Sequence, residues 1–450
     1  MLMLLVALPH VAEESKTLSP SPSAIKITGS FRSRLEVWNW FDNPTTDPYA
    51  FSGNIFRLNI QQTRGSWMWN LELAAPILLF LPETGGGQGI TYYNSNHKQT
   101  AAAMVFAKQG YVRWNGEKSW AKLGRFEFAD GAELVSQNGT IAAVKRDRVA
   151  QRLIGTFGFT HVGRSFDGYH FNRSFKGMTL TSVSATPTRG VFQVDAWGPL
   201  ATAFSYLSLA NTNKDTDWRA FAIYSHDWRH ISKTAGQTGN LRIGTFGGHF
   251  LHTQGPFDIL LWGALQTGRW GNLDHRASAG LVEAGWQAPP KTLWKPWIRA
   301  GITYGSGDSN AKDGRHGTFF QILPTPRPFA RFPFYNMMNN IDRNVSLTLR
   351  PTPKLTLKSE FHSLRLANKN DLWYQGGGAY QPWTFGYTGR DAKGATGLAN
   401  LYDVSADWNI NPKYSLAAYF GYSPTKSVLQ KLFPGSTSGA YSYVEATWRF

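Results

Sequence analysis

The sequence predicts an all-β protein, a transmembrane antiparallel β-barrel of about 18 strands with short turns at one end and long loops at the other. Three observations predict it. Apolar and polar residues alternate with a period of two through most of the chain beyond residue 25. Short connections alternate with long, Gly-rich, aromatic ones. The last segment, Ala440 to Phe450, puts Val444, Ala446, Trp448 and Phe450 on one face and Tyr443, Glu445, Thr447 and Arg449 on the other, ending on an aromatic residue.

Composition narrows the class. A chain of 450 residues is long enough for two or three ordinary domains or for one large barrel. It is 14% aromatic and contains 45 Gly and 18 Trp, yet its mean hydropathy is -0.33, as expected when strands are apolar only on alternate residues. A helical membrane protein needs runs of about 20 apolar residues, and none occurs past residue 8. The later runs Ala74 to Leu81 and Ile259 to Ala264 are too short, and the first is broken by Pro76. A soluble all-β protein is the competing class. The absence of cysteine rules out disulfides, thiolate metal sites and cysteine nucleophiles. Met1 to Leu8 reads as the hydrophobic part of a secretory signal without a basic start, and residues 13–24 as a Ser- and Pro-rich leader. The organisation expected is therefore a signal-peptide remnant and disordered leader over 1–24, then a single barrel domain over 25–450.

The strands follow in order. Ile25 to Trp40 sets Ile27, Phe31, Leu35 and Val37 against Lys26, Thr28, Arg32, Arg34 and Glu36. Asn54 to Gln62 sets Phe56, Leu58 and Ile60 against Arg57, Asn59 and Gln61, and after Arg64-Gly65 the residues Trp67, Trp69, Leu71 and Leu73 alternate with Asn70 and Glu72. The same alternation gives strands near 103–114, 118–126, 176–186, 201–211, 217–228, 241–250, 257–270, 275–288, 294–306, 344–352, 355–367, 401–411, 414–423 and 440–450. One more is needed between 150 and 174, and either Gln151 to Thr160 or Arg164 to Arg173 serves. Turns at 63–66, 115–117, 212–216, 289–293, 353–354 and 412–413 are short, whereas 76–102, 127–163, 305–343 and 368–400 are long. No repeat of about 40 residues supports a propeller.

Charge falls on one face of these strands. Arg299 and Thr303 oppose Ile298, Ala300 and Ile302; Ser346, Thr348 and Arg350 oppose Val345, Leu347 and Leu349; Thr356, Lys358, Glu360 and His362 oppose Leu355, Leu357 and Phe361. An apolar outside and a charged inside imply a wet lumen. The net charge of +17 implies an anionic partner. Because the basic residues are spaced singly, they are expected to line one long surface and not a nucleic-acid-binding patch.

Two sets of residues carry resemblances. The closing segment resembles the last strand of bacterial outer-membrane barrels, whose terminal aromatic, here Phe450, is read by the assembly machinery. Gln109-Gly-Tyr-Val-Arg-Trp114, Lys122-Leu-Gly-Arg125, Arg164-Ser-Phe-Asp-Gly168, Ser306-Gly-Asp308 and Gly317-Thr-Phe319 are, in that order, similar to the signature of the alginate-export outer-membrane porins. The resemblance runs through most of residues 25 to 450. It implies an 18-stranded monomeric barrel in the bacterial outer membrane, with Arg164 to Arg173 as the sixth strand. It also implies an arginine-rich, anion-selective constriction partly occluded by loops, and residues 127 to 163 at the pore carrying Lys145-Arg146-Asp147-Arg148 and Arg152. The implied partners are outer-membrane lipid and an acidic polysaccharide or oligouronate, with no cofactor.

A polyuronate carries a carboxylate on each sugar, so its conduit needs cations held along a path. Arginine suits this, since its planar fork pairs carboxylates and stays charged. Pore-lining candidates are Arg32, Arg34, Arg57, Arg113, Lys122, Arg125, Arg152, Arg164, Arg299, Arg350 and Lys358. Asp167, with Glu36, Glu72, Glu127 and Glu360, is placed to offset the field, because transport requires release as well as binding. The competing reading of any single arginine is a charge ladder that satisfies its neighbours. The glycines at 110 and 124 permit a bulge that leaves the register of Arg113 and Arg125 open. Trp67, Trp69, Trp408, Trp448 and Phe450 read as an interfacial girdle before they read as sugar platforms.

Enzyme signals are poor. There is no Gly-x-Ser-x-Gly elbow, and Gly435 to Gly439 has Thr at its centre. His226 and His230 on a strand lie roughly 13 Å apart, and Asp308, Asn310 and Asp313 lack the rest of a calcium loop. The sequence thus points to a porin and not to an enzyme. A small-organic-anion uptake porin of the same fold is the alternative, ahead of a barrel enzyme or an adhesin.

Overall fold

The computed structural model describes residues 24–41, 48–326 and 328–450, so the signal-like segment and the leader up to residue 23 lie outside the described residues. The chain forms a closed antiparallel barrel of 18 strands. They are β1 Lys26–Asn39, β2 Tyr49–Arg64, β3 Trp67–Leu79, β4 Phe106–Asn115, β5 Ser119–Phe126, β6 Phe166–Phe175, β7 Met178–Pro187, β8 Thr202–Thr212 and β9 Thr216–Asp227. The second half comprises β10 Leu241–Gln254, β11 Phe257–Trp270, β12 Leu273–Gln287, β13 Trp297–Gly305, β14 Asn340–Thr352, β15 Leu355–Leu366, β16 Gly397–Asn409, β17 Tyr414–Pro424 and β18 Ser438–Arg449. The sixth strand is the 166–175 segment, and Gln151 to Thr160 belongs to the loop before it.

Each strand pairs with its sequence neighbours, and β1 closes on β18 from Ser30 opposite Arg449 to Asn39 opposite Ala440. The terminal residue completes the seam: Phe450 N–H donates to Gly29 O at 3.0 Å and Gly29 N–H donates to Phe450 O at 2.9 Å. A side chain at Gly29 would meet the Phe450 ring at 2.3 Å, so the glycine makes room for the ring, which stacks on Phe56.

Outward positions are apolar and exposed, as Ile27, Leu35, Val112, Leu123, Leu265 and Val282 show. Near the turn end the exposed aromatics Trp67, Trp69, Trp114, Trp408, Trp448 and Phe450 form a girdle. The ends differ as an outer-membrane barrel requires. The turns after β2, β4, β6, β8, β10, β12, β14 and β16 are short. On the other side the connections run from the tight β11 to β12 turn at 271–272 to 80–105, 127–165, 306–339 and 367–396, which are long.

The interior differs from the wet lumen that the charged face implies. Loops fold inward and pack on lumen-facing apolar side chains. One buried cluster joins Trp38, Phe41 and Phe51 of the wall region to Tyr92, Phe159, Phe332, Phe334 and Phe433 from the loops. A second joins Ile243, Leu260, Trp262 and Leu281 to Val144, Leu153, Phe320 and Tyr380. Burying these rings removes several hundred Å² of apolar surface from water, which accounts for loops that stay inside the barrel.

Candidate functional site

The third loop, 127–165, builds the site because it runs the length of the lumen. Leaving β5, it places Asp130 and Glu133 against Arg219 of β9, with Arg219 to Asp130 at 3.2 Å and to Glu133 at 3.3 Å. It then descends to the turn end, where Asn138 donates to Lys214 O at 2.9 Å in the β8–β9 turn and to Thr253 Oγ1 at 3.0 Å. The Asn138 side chain also accepts from Thr140 and Ile141 N–H. That N-cap, by satisfying free donors of the first turn, starts the short helix α1, Gly139–Val144. Thr140 is held to β12 by Gln287 at 2.7 Å.

From there the basic stretch predicted at the pore crosses the lumen. Lys145 bonds Asp217 of β9 at 2.7 Å, and Asp217 also holds His249 of β10 at 2.6 Å. On the far wall Arg148 reaches Glu283 of β12 at 3.2 Å and Glu360 of β15 at 3.1 Å. Those carboxylates are shared with Arg299, 3.0 Å from Glu283, and Lys358, 3.0 Å from Glu360. Arg299 also bonds Asp258 at 2.6 Å. The crossing is therefore a strap pinned at both walls by buried ion pairs.

The loop finishes on the β1–β2 wall. Arg34 donates to Phe159 O at 2.8 Å and pairs Glu445 of β18 and Glu36. His161 and Glu36 lie 2.8 Å apart. His161 rests on Gly53, where an added Cβ would come within 2.1 Å of its ring, so only glycine admits the imidazole. Burial lowers the His161 pKa to about 4, the Glu36 hydrogen bond opposing that shift. Arg32 donates to Gly158 O and Thr160 O at 2.8 and 2.6 Å.

The remaining candidates fall in different places. Arg57 pairs Glu72 and lies 3.2 Å from Glu127. Arg152 and Arg164 are fully buried in the loop, bonding Arg148 O and Gly155 O and lying over Trp262 and Phe157; burial pushes both guanidinium groups down to about 10, leaving them charged at neutral pH. Arg113 and Lys122 face inward directly opposite one another on β4 and β5. Arg113 lies 4.4 Å over Trp120, and Lys122 lies 4.7 Å over Tyr111. Arg350 lies 5.5 Å over Trp297.

Arg125 and Asp167 require a correction. Their neighbours Phe126 and Phe166 point inward and are fully buried, while Leu123 and Tyr169, on the face that Arg125 and Asp167 share, are exposed. The two residues pair with each other at 2.7 Å on the outer wall and do not line the lumen. The open register at Gly110 is settled by a bulge one step earlier: Glu72 faces Gln109 and Leu73 faces Ala107, leaving Lys108 as the extra residue. Lys108 turns inward and donates to Val162 O and Arg164 O at 3.0 and 3.2 Å.

Sequence reasoning missed Lys108, Asp217, Arg219, His249 and Glu283, all inward on strands. It also missed an aromatic stack of Trp270 on His316 at 4.0 Å, beneath the 306–339 loop. The readable signal lay in the loops: 127–165 and 306–339 carry Ile141, Val149, Leu153, Phe157, Phe319, Phe332 and Phe334, more apolar surface than a solvated loop leaves in water.

Charge is distributed unevenly along this interior. In the sector filled by the third loop, cations and carboxylates alternate and pair. Beneath it, the inward faces of β14–β18 and β1–β5 toward the turn end carry Arg32, Arg57, Arg113, Lys122, Arg350, Lys358 and Arg449, most of them retaining partial exposure. Much of the remaining positive charge lies outside the lumen, in the turns as Lys118, Lys176, Lys214, Lys291, Lys354 and Lys413, so the +17 does not measure the lumen.

Comparison with known proteins fits this geometry. The sequence model of the alginate-export family matches residues 93–424. The chain belongs to the alginate-export family. No curated protein sequence matches it. Its fold is similar to the outer-membrane protein OpdK of Pseudomonas aeruginosa, with TM-score 0.58, 10% identity, and 94% of this chain and 99% of that chain covered. It is also similar to OccAB2 of Acinetobacter baumannii, with TM-score 0.59, 9% identity, and 94% and 98% covered. For OccK11 (OpdR) of P. aeruginosa the values are 0.54, 12%, 95% and 96%. The protein is an outer-membrane β-barrel porin, a channel and not an enzyme.

Proposed function

We propose that this alginate-export family barrel acts as a monomer that conducts an acidic polysaccharide or oligouronate, anion-selectively, along the cationic sector beneath the third loop. The observation that carries the reading is the juxtaposition of Arg113 and Lys122. Like charges directly opposite on neighbouring strands repel, and Lys122 has ring faces and no carboxylate within 4.0 Å among the described residues. Lys122, opposite a second cation and set against ring faces, is placed to take a carboxylate of a passing anion. Ring faces beside the cations suit a sugar acid, whose pyranose face is apolar and whose carboxylate takes charge-assisted bonds. The in-folded 127–165 and 306–339 loops then act as the occluding elements that a polymer displaces. Assembly through recognition of Phe450 belongs to the same proposal.

A second reading, passage of small organic anions, is favoured by the filled extracellular half, which a small solute crosses with less displacement of loops. Planar-bilayer recording in a salt gradient separates the two. Anion-selective current blocked by oligouronate is expected; anion selectivity without that block would support the small-anion reading, and cation selectivity would overturn both.

A further inference from the structure

We propose that the outer wall of β9–β12, at the loop end, is a binding site for the phosphorylated headgroup of an outer-leaflet glycolipid. Arg242, Arg269 and Arg276 lie on three consecutive strands and are exposed, while their chain neighbours Leu241, Trp270 and His275 are buried inward. All three arginines therefore project from the barrel and not into it. Toward the membrane centre the same face carries Phe246, Leu265 and Val282, each at least half exposed. The arginines thus sit where the apolar band ends on the side of the long loops, level with the headgroups of the outer leaflet.

The arrangement is unfavourable without an anion. Arg242 faces Arg269 directly across the β10–β11 ladder and His226 across the β9–β10 ladder. Like charges so placed repel, in a layer where water and counterions are thinner than in bulk. One carboxylate answers them: Asp274 pairs Arg269 at 2.7 Å, both groups being more than half exposed. Arg276 and Arg242 have no carboxylate within 4.0 Å among the described residues. Arg315, from the 306–339 loop, is held in register with Asp274 by a short parallel bridge and adds a fourth guanidinium.

Beside Arg276 and Arg315 the surface is shaped for an amphipathic ligand. A groove of about 700 Å³ runs along this wall, with Phe246 and Leu265 at its apolar end and Arg276 and Arg315 at its polar end. Two carboxylates on its edge are engaged by backbone: Asp308 accepts from Asn310 N–H at 3.1 Å and Asp313 from Arg315 N–H at 2.9 Å. An acyl chain fits below, and a phosphate monoester, which guanidinium groups bind bidentately, fits above. Outward arginines also occur at the loop end of β14 and β15 as Arg343 and Arg365, but these are offset by two residues and do not face each other, so the three-strand cluster is particular to β10–β12.

The test uses the full barrel extracted in mild detergent, with native mass spectrometry reading the retained glycolipid. The R242Q/R269Q/R276Q variant is expected to lose about tenfold or more in retention, the equivalent of one charge-assisted contact. The turn-end variant K354Q/K413Q is expected to retain as wild type. Added lipid A should rebind to stripped wild-type protein, while dephosphorylated lipid A and phosphatidylglycerol at equal concentration should not. Unchanged retention in the triple variant, or equal binding of phosphatidylglycerol, would overturn the proposal. Folding is checked by heat-modifiable gel mobility; should the triple variant fail that check, R276Q alone is expected to lose retention severalfold, and no loss there overturns the proposal equally.

Discussion

Replacing Arg148 by alanine should release the strap that crosses the lumen. Arg148 joins the third loop to Glu283 and Glu360 on the far wall and donates to Pro328 O at 3.1 Å. Removing one partner of a buried ion pair costs about 3–5 kcal/mol, because the charge left behind stays desolvated. Here the carboxylates retain Arg299 and Lys358 at 3.0 Å, so the lower end, about 3 kcal/mol, is the appropriate figure. At 1.4 kcal/mol per decade this changes the ratio of docked to undocked strap by about a hundredfold. Single-channel recording should then show a wild-type barrel that dwells mostly in a low-conductance level and an R148A barrel that dwells in, or frequently visits, a higher one. R148K should fall between, since lysine keeps one charge contact but not the fork. An R148A barrel that folds, by heat-modifiable mobility, yet gates like wild type would show that the strap is not held by these pairs.

Other perturbations follow from the same contacts. His161 is held neutral by burial with a pKa lowered from 6.5 to about 4, so its docking is fully stabilising above pH 6.5 and weakens as pH falls toward 4, by up to about 3 kcal/mol; hydrogen exchange of residues 156–164 should accelerate across that window and not above it. Gly53→Val should undock the same segment at neutral pH by occupying the imidazole's place, seen as raised exchange there with the barrel intact. Lys122→Gln with Arg350→Gln should shift the reversal potential toward zero in a salt gradient and weaken oligouronate block; an unchanged potential would remove both from the path. Phe450→Ser should lower the amount of folded barrel in the outer membrane, measured by surface proteolysis.

The strands were legible because a barrel wall is read by two solvents. Lipid on one side and polar groups on the other impose a period of two, and β1, β13, β14 and β15 show it plainly. The same reasoning explains where legibility ends. Ala74 to Leu79 and Ile259 to Ala264, which break the alternation, are strand segments apolar on both faces, because Ala74, Leu78, Leu260 and Trp262 meet in-folded loops instead of water. Alternation identifies a second face but not what lies against it. Lys145 and Arg148 were visible as a basic stretch in a pore loop, and Glu360 as a lumen-facing carboxylate, yet nothing local in the sequence marks that Lys145 pairs Asp217 and Arg148 pairs Glu283 and Glu360. Arg125 was misplaced for a related reason: a charge on the outer wall near the rim looks, in sequence, like one turned inward.

Arg34 has a consequence for how the molecule is made. It touches Glu445 of the last strand, Glu36 of the first, and Phe159 of the loop between β5 and β6. The first and last strands meet only when the cylinder shuts, so this side chain cannot complete its contacts until the chain is finished. Arg34 therefore ties the docked position of the occluding segment to the closed wall, and an unclosed barrel lacks that tie. Glu445→Gln should accordingly loosen the residue 156–164 segment as well as the seam, which hydrogen exchange reads at the two places separately.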